Sequence, residues 1–245
     1  VKSALSVLLL CFLLASCGEE KSVETEEAVE SEEAVETEKT IQERAEAGDA
    51  EAQDSLGWIY YKGEEVPKDD VEAAKWFRKA AEQGYASSQT NLGAMYDKGE
   101  GVPKDYTEAV KWYRKAAEQG DAIAQFRLSK MYAKGQGVPQ DKAEAVKWLR
   151  KAAEQGEAEA QNILASMYFI GDGIRVPRDF AKALKWLRKA AEQGNAKAQF
   201  RLSKMYAKGQ GVPQDKAEAL KWLRKAAEQG DADAKEWLNA KENGE

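Results

Sequence analysis

Residues 121–156 read DAIAQFRLSKMYAKGQGVPQDKAEAVKWLRKAAEQG, and this stretch decides the fold. Ala124, Leu128, Met131 and Tyr132 stand at i, i+4, i+7 and i+8, the period of a helix with one buried stripe. Asp121 is a suitable N-cap for that helix. Gly135 suits a left-handed C′ position, and the Gly-Gln-Gly-Val-Pro run 135–139 breaks the helix. A second helix is predicted from Asp141, with Glu144 three residues on at the spacing of a capping box. It buries Ala145, Trp148, Leu149, Ala152 and Ala153 and stops at Gly156. The next helix starts at once after Gly156, and such tight connections force antiparallel neighbours.

The same stretch recurs along the chain. Pro67, Pro103, Pro139, Pro177 and Pro213 follow valine at intervals of 36, 36, 38 and 36 residues. Gly48, Gly84, Gly120, Gly156, Gly194 and Gly230 keep the same phase, and so do Trp76, Trp112, Trp148, Trp186 and Trp222. Asp49, Asn195 and Asp231 repeat the first cap, and Asp69/Glu72, Asp105/Glu108 and Asp215/Glu218 repeat the second, with Asp179/Lys182 departing from it. One hairpin cannot hide its own apolar face, so stacking must supply the core. The expected fold class is all-α, an α-solenoid of stacked antiparallel helix pairs with a disordered N-terminal region. Its hairpins are 49–84, 85–120, 121–156, 157–194 and 195–230, followed by a C-terminal capping helix in 231–245. The small residues Gly57, Gly93, Ser129, Ala165 and Ser203 let neighbouring helices approach. Residues 126–155 return at 200–229 with one difference, Val146 against Leu220, which marks an internal duplication. The fourth loop carries two extra residues, Ile174 and Arg175.

The composition narrows the chemistry. The chain has no histidine, and its two cysteines, Cys11 and Cys17, lie in or beside the apolar N-terminal run. His-centred triads, thiol nucleophiles and Cys/His zinc sites are therefore excluded beyond residue 17. No metal or cofactor is expected.

Lys2 precedes an apolar run from Ala4 to Leu14 that ends in small residues, the marks of a secretory signal over 1–16. From Gly18 to Glu46, twelve glutamates face only Lys21, Lys39 and Arg44, a net charge of −9. So much like charge with no aromatic residue reads as an acidic tether, 17–40. Residues 41–48 are expected to form a capping helix, because Ile41 and Ala45 fall where Phe77 and Ala81 fall one period later. From Ala47 onward the net charge is +2, so net charge implies no polyanionic partner.

These residues resemble the Sel1-like repeat, a relative of the tetratricopeptide repeat. The family pattern places Ala, Leu-Gly and Tyr in one helix, Gly-x-Gly-Val and Asp in the loop, and Ala, Trp, Lys-Ala-Ala and Gly in the next. It is matched across 49–230. Leu14-Ala15-Ser16-Cys17 in turn resembles the lipobox of bacterial lipoproteins. That resemblance implies an exported protein lipidated at Cys17, and Gly18 in place of the retaining aspartate favours the outer membrane.

Comparing the hairpins with one another separates fixed positions, such as those of Gln53, Leu56 and Tyr60, from varied ones. The varied positions begin at Asp54, Trp58 and Tyr61, spaced 0, 4 and 7 on one helical face. In the tetratricopeptide relatives this face lines a concave surface that holds peptides. It carries Trp58, Tyr61, Phe126, Phe169 and Phe200, beside Arg127, Lys130, Arg201 and Lys204. Aromatics and arginines are what binding hot spots use. Packing of these aromatics against the adjacent hairpin remains the alternative reading. The invariant tryptophans read as core. The basic face around Lys147, Arg150 and Lys151 is interleaved with Glu144 and Glu154 and reads as solvated, with no nucleic acid expected.

The expected function is a non-enzymatic, exported, lipid-anchored scaffold or adaptor that binds a protein or extended peptide in the cell envelope. A carbohydrate or peptidoglycan binder stacking sugars on the exposed aromatics is one alternative. A cell-envelope hydrolase using two carboxylates is another. The sequence leaves the oligomeric state open.

Overall fold

The computed structural model describes residues 41–63, 66–171 and 176–242. The apolar N-terminal run, Cys17, the acidic stretch up to residue 40, and Ile174 and Arg175 lie outside the described residues. Every described element is a helix. A short α1 (41–46) precedes five hairpins. These are α2 (Ala50–Lys62) with α3 (Asp70–Glu82), α4 (Ala86–Lys98) with α5 (Tyr106–Glu118), α6 (Ala122–Lys134) with α7 (Lys142–Glu154), α8 (Ala158–Ile170) with α9 (Phe180–Glu192), and α10 (Ala196–Lys208) with α11 (Lys216–Glu228). The final helix, α12 (Ala232–Glu242), is packed on α11. Each helix packs chiefly on its neighbours in sequence, as a solenoid requires.

Local chemistry sets the helix ends. Asp49, Asp121 and Asn195 accept backbone N–H bonds at the starts of α2, α6 and α10, and Asp231 does the same for α12. Asp69, Asp105, Asp141 and Asp215 cap the second helices by accepting from the N–H groups two and three residues on. The predicted capping box is only half formed. The cap residues' own N–H groups are taken by the carbonyls of Tyr60, Tyr96, Tyr132 and Tyr206 in the preceding helix. Glu72, Glu108, Glu144 and Glu218, left without that donor, pair instead with the lysines three residues on, at 2.7–3.1 Å. Each hairpin is thus closed by a cap-to-tyrosine backbone bond. At Asp179 the cap accepts from Lys182 N–H and its own N–H reaches Tyr168.

The core runs through the stack without pausing at hairpin boundaries. Phe77, Leu92, Met95 and Trp112, drawn from α3, α4 and α5, share one cluster. Trp76, Trp112, Trp148 and Trp222 are buried, while Trp186 is half-buried. Burying one such large side chain contributes about 1.5–3 kcal/mol. The lysines on the second helices lie over these indoles: Lys79 sits 3.5 Å from the Trp76 ring centre, and Lys151 sits 4.5 Å from that of Trp148. Arg114 donates to the hydroxyl of Tyr132 at 2.7 Å. Much of the outer basic face is therefore engaged in ring contacts, tyrosine bonds and Glu–Lys pairs within the chain.

The small residues on the first helices match their partners in size. The Phe77 ring lies on Gly57 and the Tyr113 ring on Gly93, where an added Cβ would come within 2.8 Å of the tyrosine ring. Where the small residue is Ser129, Ala165 or Ser203, the position opposite holds Leu149, Leu187 or Leu223. The loops tie the hairpins together as well. Gly137, at φ +68°, turns the third loop so closely onto the start of α5 that a Cβ there would overlap the carbonyl of Tyr106.

A glutamine relay runs through the first four hairpins. Gln125 Nε2 donates to the Ala117 carbonyl at 3.1 Å, and its Oε1 accepts from Gln155 at 2.7 Å. Gln53, Gln89 and Gln161 repeat the arrangement, and Gln53 reaches back to Ala45 of α1. Ala45 is buried with Leu56 and Trp76, so α1 stands where the second helix of a preceding hairpin would end.

Candidate functional site

The first helices of successive hairpins, α2, α4, α6, α8 and α10, form one face. Two of the three varied positions are open to solvent on it. Trp58 is 37% exposed and meets Tyr61 edge-on, with ring centres 5.6 Å apart. The Tyr61 hydroxyl donates to Glu100 Oε2 at 3.1 Å, and Lys98 pairs with the same carboxylate at 3.3 Å. These side chains, with Phe77, Asn91, Ala94 and Met95, line a cleft of about 130 Å³ between α2 and α4. Lys130, Phe169 and Lys204 are half-buried, and Phe169 leans on Phe180 with centres 5.1 Å apart.

The first varied position is different, and here the expectation needs correcting. Phe126 is 2% exposed and Phe200 7%, so neither is presented to a ligand. The position is a junction between hairpins, and at Asp54, Phe126, Asn162 and Phe200 it meets the next unit's first helix by matched chemistry, while the buried Thr90 hydroxyl has no hydrogen-bond partner among the described residues. Asp54 accepts from Ser88 Oγ at 2.5 Å. Phe126 joins a cluster with Leu149, Leu164 and Ile163. Asn162 accepts from Arg201 at 2.8 Å, and Phe200 meets Trp237 edge-on at 6.1 Å. Burial pushes the Asp54 carboxyl above its usual range, opposed by the hydroxyls of Ser88 and Ser87. Comparing the hairpins marks this position as varied. What varies is the junction it closes, a role that exposure alone reveals.

Arg201 lies on both sides of that distinction. Its Nη1 is held by Asn162 Oδ1 and Ser166 Oγ, yet the residue is exposed. It stands between two clefts. One, of about 670 Å³, is walled by Ile163, Met167 and Ile170 of α8, with Glu159, Lys197 and Arg201 among its other lining residues. The second, of about 270 Å³, reaches Phe169, Leu187 and Met205, with Lys204 and Lys208. Ile170 is 73% exposed, in a column held by Lys62, Lys98, Lys134 and Lys208 in the other hairpins.

Charge is unevenly shared along this face. Arg127, Lys130 and Lys134 on α6, with Lys197, Arg201, Lys204 and Lys208 on α10, meet no acidic residue on either helix. Between them α8 carries Glu159 alone. Among the described residues, none of these seven cations enters an ion pair, whereas Lys75, Lys111, Lys147 and Lys221 of the second helices all do. Lys130 and Lys204 do lie over the Phe126 and Phe200 rings, at 5.2 and 3.9 Å. Among the described residues, no group of three or more His, Cys, Asp or Glu is placed to hold a metal ion. Nor is any described helix long and apolar enough to cross a membrane.

The Sel1 repeat family model matches five consecutive units, residues 50–85, 86–121, 122–157, 158–195 and 196–231. Among solved structures, the chain is similar to a protective antigen present in uropathogenic Escherichia coli strains and displaying an SLR fold. The two are 47% identical with a TM-score of 0.75, over 82% of this chain and 42% of that one. A Sel1 repeat protein from Oxalobacter formigenes is 40% identical with a TM-score of 0.77, over 82% of this chain and 57% of that one. The chain thus spans about half the length of these relatives. A putative Sel1 repeat protein from Klebsiella pneumoniae aligns at 25% identity and a TM-score of 0.51, over 82% of this chain and 97% of that one. No curated protein matches the chain.

Proposed function

The chain belongs to the Sel1 repeat family, and on that premise we propose that it is a non-enzymatic adaptor that holds an extended segment of a protein partner along the face of its first helices. Sel1 repeat proteins typically bind protein partners. The observation that carries the reading is the contrast between the two faces. The second-helix lysines Lys75, Lys111, Lys147 and Lys221 pair with glutamates of their own helices, while the first helices present Trp58, Tyr61, Phe169 and cations that, among the described residues, enter no ion pair, around open clefts. In this reading the face corresponds to the concave, peptide-holding one of tetratricopeptide relatives. Exposed aromatics and arginines are the side chains from which binding energy is usually drawn. Trp58→Ala combined with Lys130→Glu should weaken capture of the native partner while leaving helicity and melting unchanged. Unchanged capture would move the site elsewhere.

The protein is, in this reading, exported and anchored through acyl chains on Cys17. The short apolar run ending in Leu-Ala-Ser-Cys supports this, because several acyl chains give durable attachment where one does not. The similar E. coli chain being a protective antigen is consistent with an exported protein. Cys17→Ala, or treatment with globomycin, should release the protein from membranes and remove the acyl mass. Continued membrane partitioning without acyl mass rejects the anchor.

A further inference from the structure

We infer that the junction of α8 and α10 is the anchoring subsite of this face, and that its ligand is an acidic, extended peptide segment carrying an aliphatic side chain. The inference rests on the proposed peptide-binding role and assigns that role a place and a partner chemistry.

Three independent observations converge there. First, residues from Ala47 onward carry only +2, yet the first helices α6, α8 and α10 together hold seven cations against Glu159. The remainder of the array is therefore net negative, and the excess positive charge is gathered on one part of one face. Like charges gathered on one face repel one another, and among the described residues Glu159 is the one acid within these three helices, so a carboxylate-bearing ligand complements them. Second, the larger cleft has an apolar wall of Ile163, Met167 and Ile170, and Ile170 is the one aliphatic residue in a column of lysines. A 73% exposed isoleucine beside a cleft of about 670 Å³ suits an aliphatic side chain rather than a uniformly charged strand. Third, Arg201 stands on the border of both clefts with Nη1 held by Asn162 and Ser166. A guanidinium has five N–H donors, so donors remain for a ligand while the group is already fixed in place, which lowers the entropic cost of using it. Glu159 also lines the larger cleft, and it disfavours a ligand carboxylate set directly beside it.

The test is fluorescence anisotropy on the full chain with two labelled eight-residue probes, one of glutamates around a central leucine and one of lysines around the same leucine. The glutamate probe should bind, the lysine probe should not, and affinity should fall several-fold between 50 and 300 mM salt. Replacing leucine by glycine in the glutamate probe should weaken it about tenfold. The exposed pair Lys197→Glu with Lys208→Glu should abolish binding. Arg201→Ala gives a second, independent loss of about tenfold, with unchanged helicity as the folding control. Trp58→Ala should leave this short probe unaffected.

Equal binding of both probes, binding that ignores the α10 variants, or no binding of either overturns the inference. Loss of native-partner capture on Trp58→Ala with Lys130→Glu would still support the broader reading, so the two can fail separately. Binding that appears only when the glutamates of 26–36 are replaced by glutamine would put the chain's own acidic run in the cleft, against the inference. A dimer in sedimentation that Lys197→Glu dissolves would put a second copy there, with the same consequence.

Discussion

Nη1 of Arg201 donates to Oδ1 of Asn162 at 2.8 Å, joining the fourth hairpin to the fifth. The third hairpin makes the equivalent junction with Phe126 and Ile163, an apolar pair in the same two positions. If chemistry must match across a junction, converting one pair into the other should be tolerated only when both members change. Asn162→Phe and Arg201→Ile singly are each expected to cost about 1 kcal/mol, and together less than their sum, with a coupling of about 1 kcal/mol. Urea unfolding of the four proteins measures this. Strict additivity would mean the junction does not read its pair.

Tyr113 is fully buried with its ring on Gly93, and its hydroxyl has no hydrogen-bond partner among the described residues. In the first hairpin the same place holds Phe77. Tyr113→Phe should therefore stabilise the protein by about 1 kcal/mol, because an unpaired buried hydroxyl is removed. Gly93→Ser should cost about 2 kcal/mol through overpacking, and Tyr113→Leu in the same chain should recover most of it, restoring the Ser129–Leu149 combination. Thermal melts of the three variants check the order.

Asp54 is buried, and burial raises its carboxyl above the usual range despite the Ser88 and Ser87 hydroxyls. A carboxyl whose folded value is raised binds its proton more tightly in the folded state. Its contribution is then fully present below the unfolded value and is lost as pH rises through the folded value. Asp54→Asn should consequently raise the melting temperature at pH 7, and the gain should shrink as pH is lowered toward 4. A gain that grows on acidification would reverse the assigned direction.

Gln125 both donates to Ala117 and accepts from Gln155, whereas Gln199 donates to Ala191 but, among the described residues, has no donor at its buried Oε1. Gln125→Ala should cost about 1–3 kcal/mol, and Gln199→Ala about 1 kcal/mol less, since one bond fewer is lost. Chemical denaturation distinguishes them, and equal costs would remove the relay from the account of stacking.

The repeat, its helices and the buried tryptophans were legible because each is fixed by period and by residue type at one phase. The end caps were legible for the same reason, but not the whole of their geometry. Glu144 has the spacing of a capping box, yet the Tyr132 carbonyl reaches the Asp141 N–H first, and no local pattern announces a bond from the preceding helix. Variation among hairpins at the Phe126 and Phe200 position points to the open face, yet both rings are buried. Variation marks ligand contacts and hairpin junctions alike, and only burial separates the two. One signal was available: Phe126, Asn162 and Phe200 are each followed, one hairpin on, by Ile163, Arg201 and Trp237, partners of matching character. The clustering of cations on α6 and α10 was visible in the sequence as well. No sequence pattern tells that these cations enter no ion pair among the described residues while the second-helix lysines pair with their own glutamates.

The most direct test of the central claim, that a partner lies along the first helices, is site-specific photocrosslinking in intact cells. A benzophenone side chain would replace Trp58, Lys130 or Lys204 on that face, and Lys147 or Lys221 on the second helices. The account predicts adducts to one partner from the first three positions and none from the last two. Adducts from Lys147 or Lys221 with none from Trp58, Lys130 and Lys204 would contradict it.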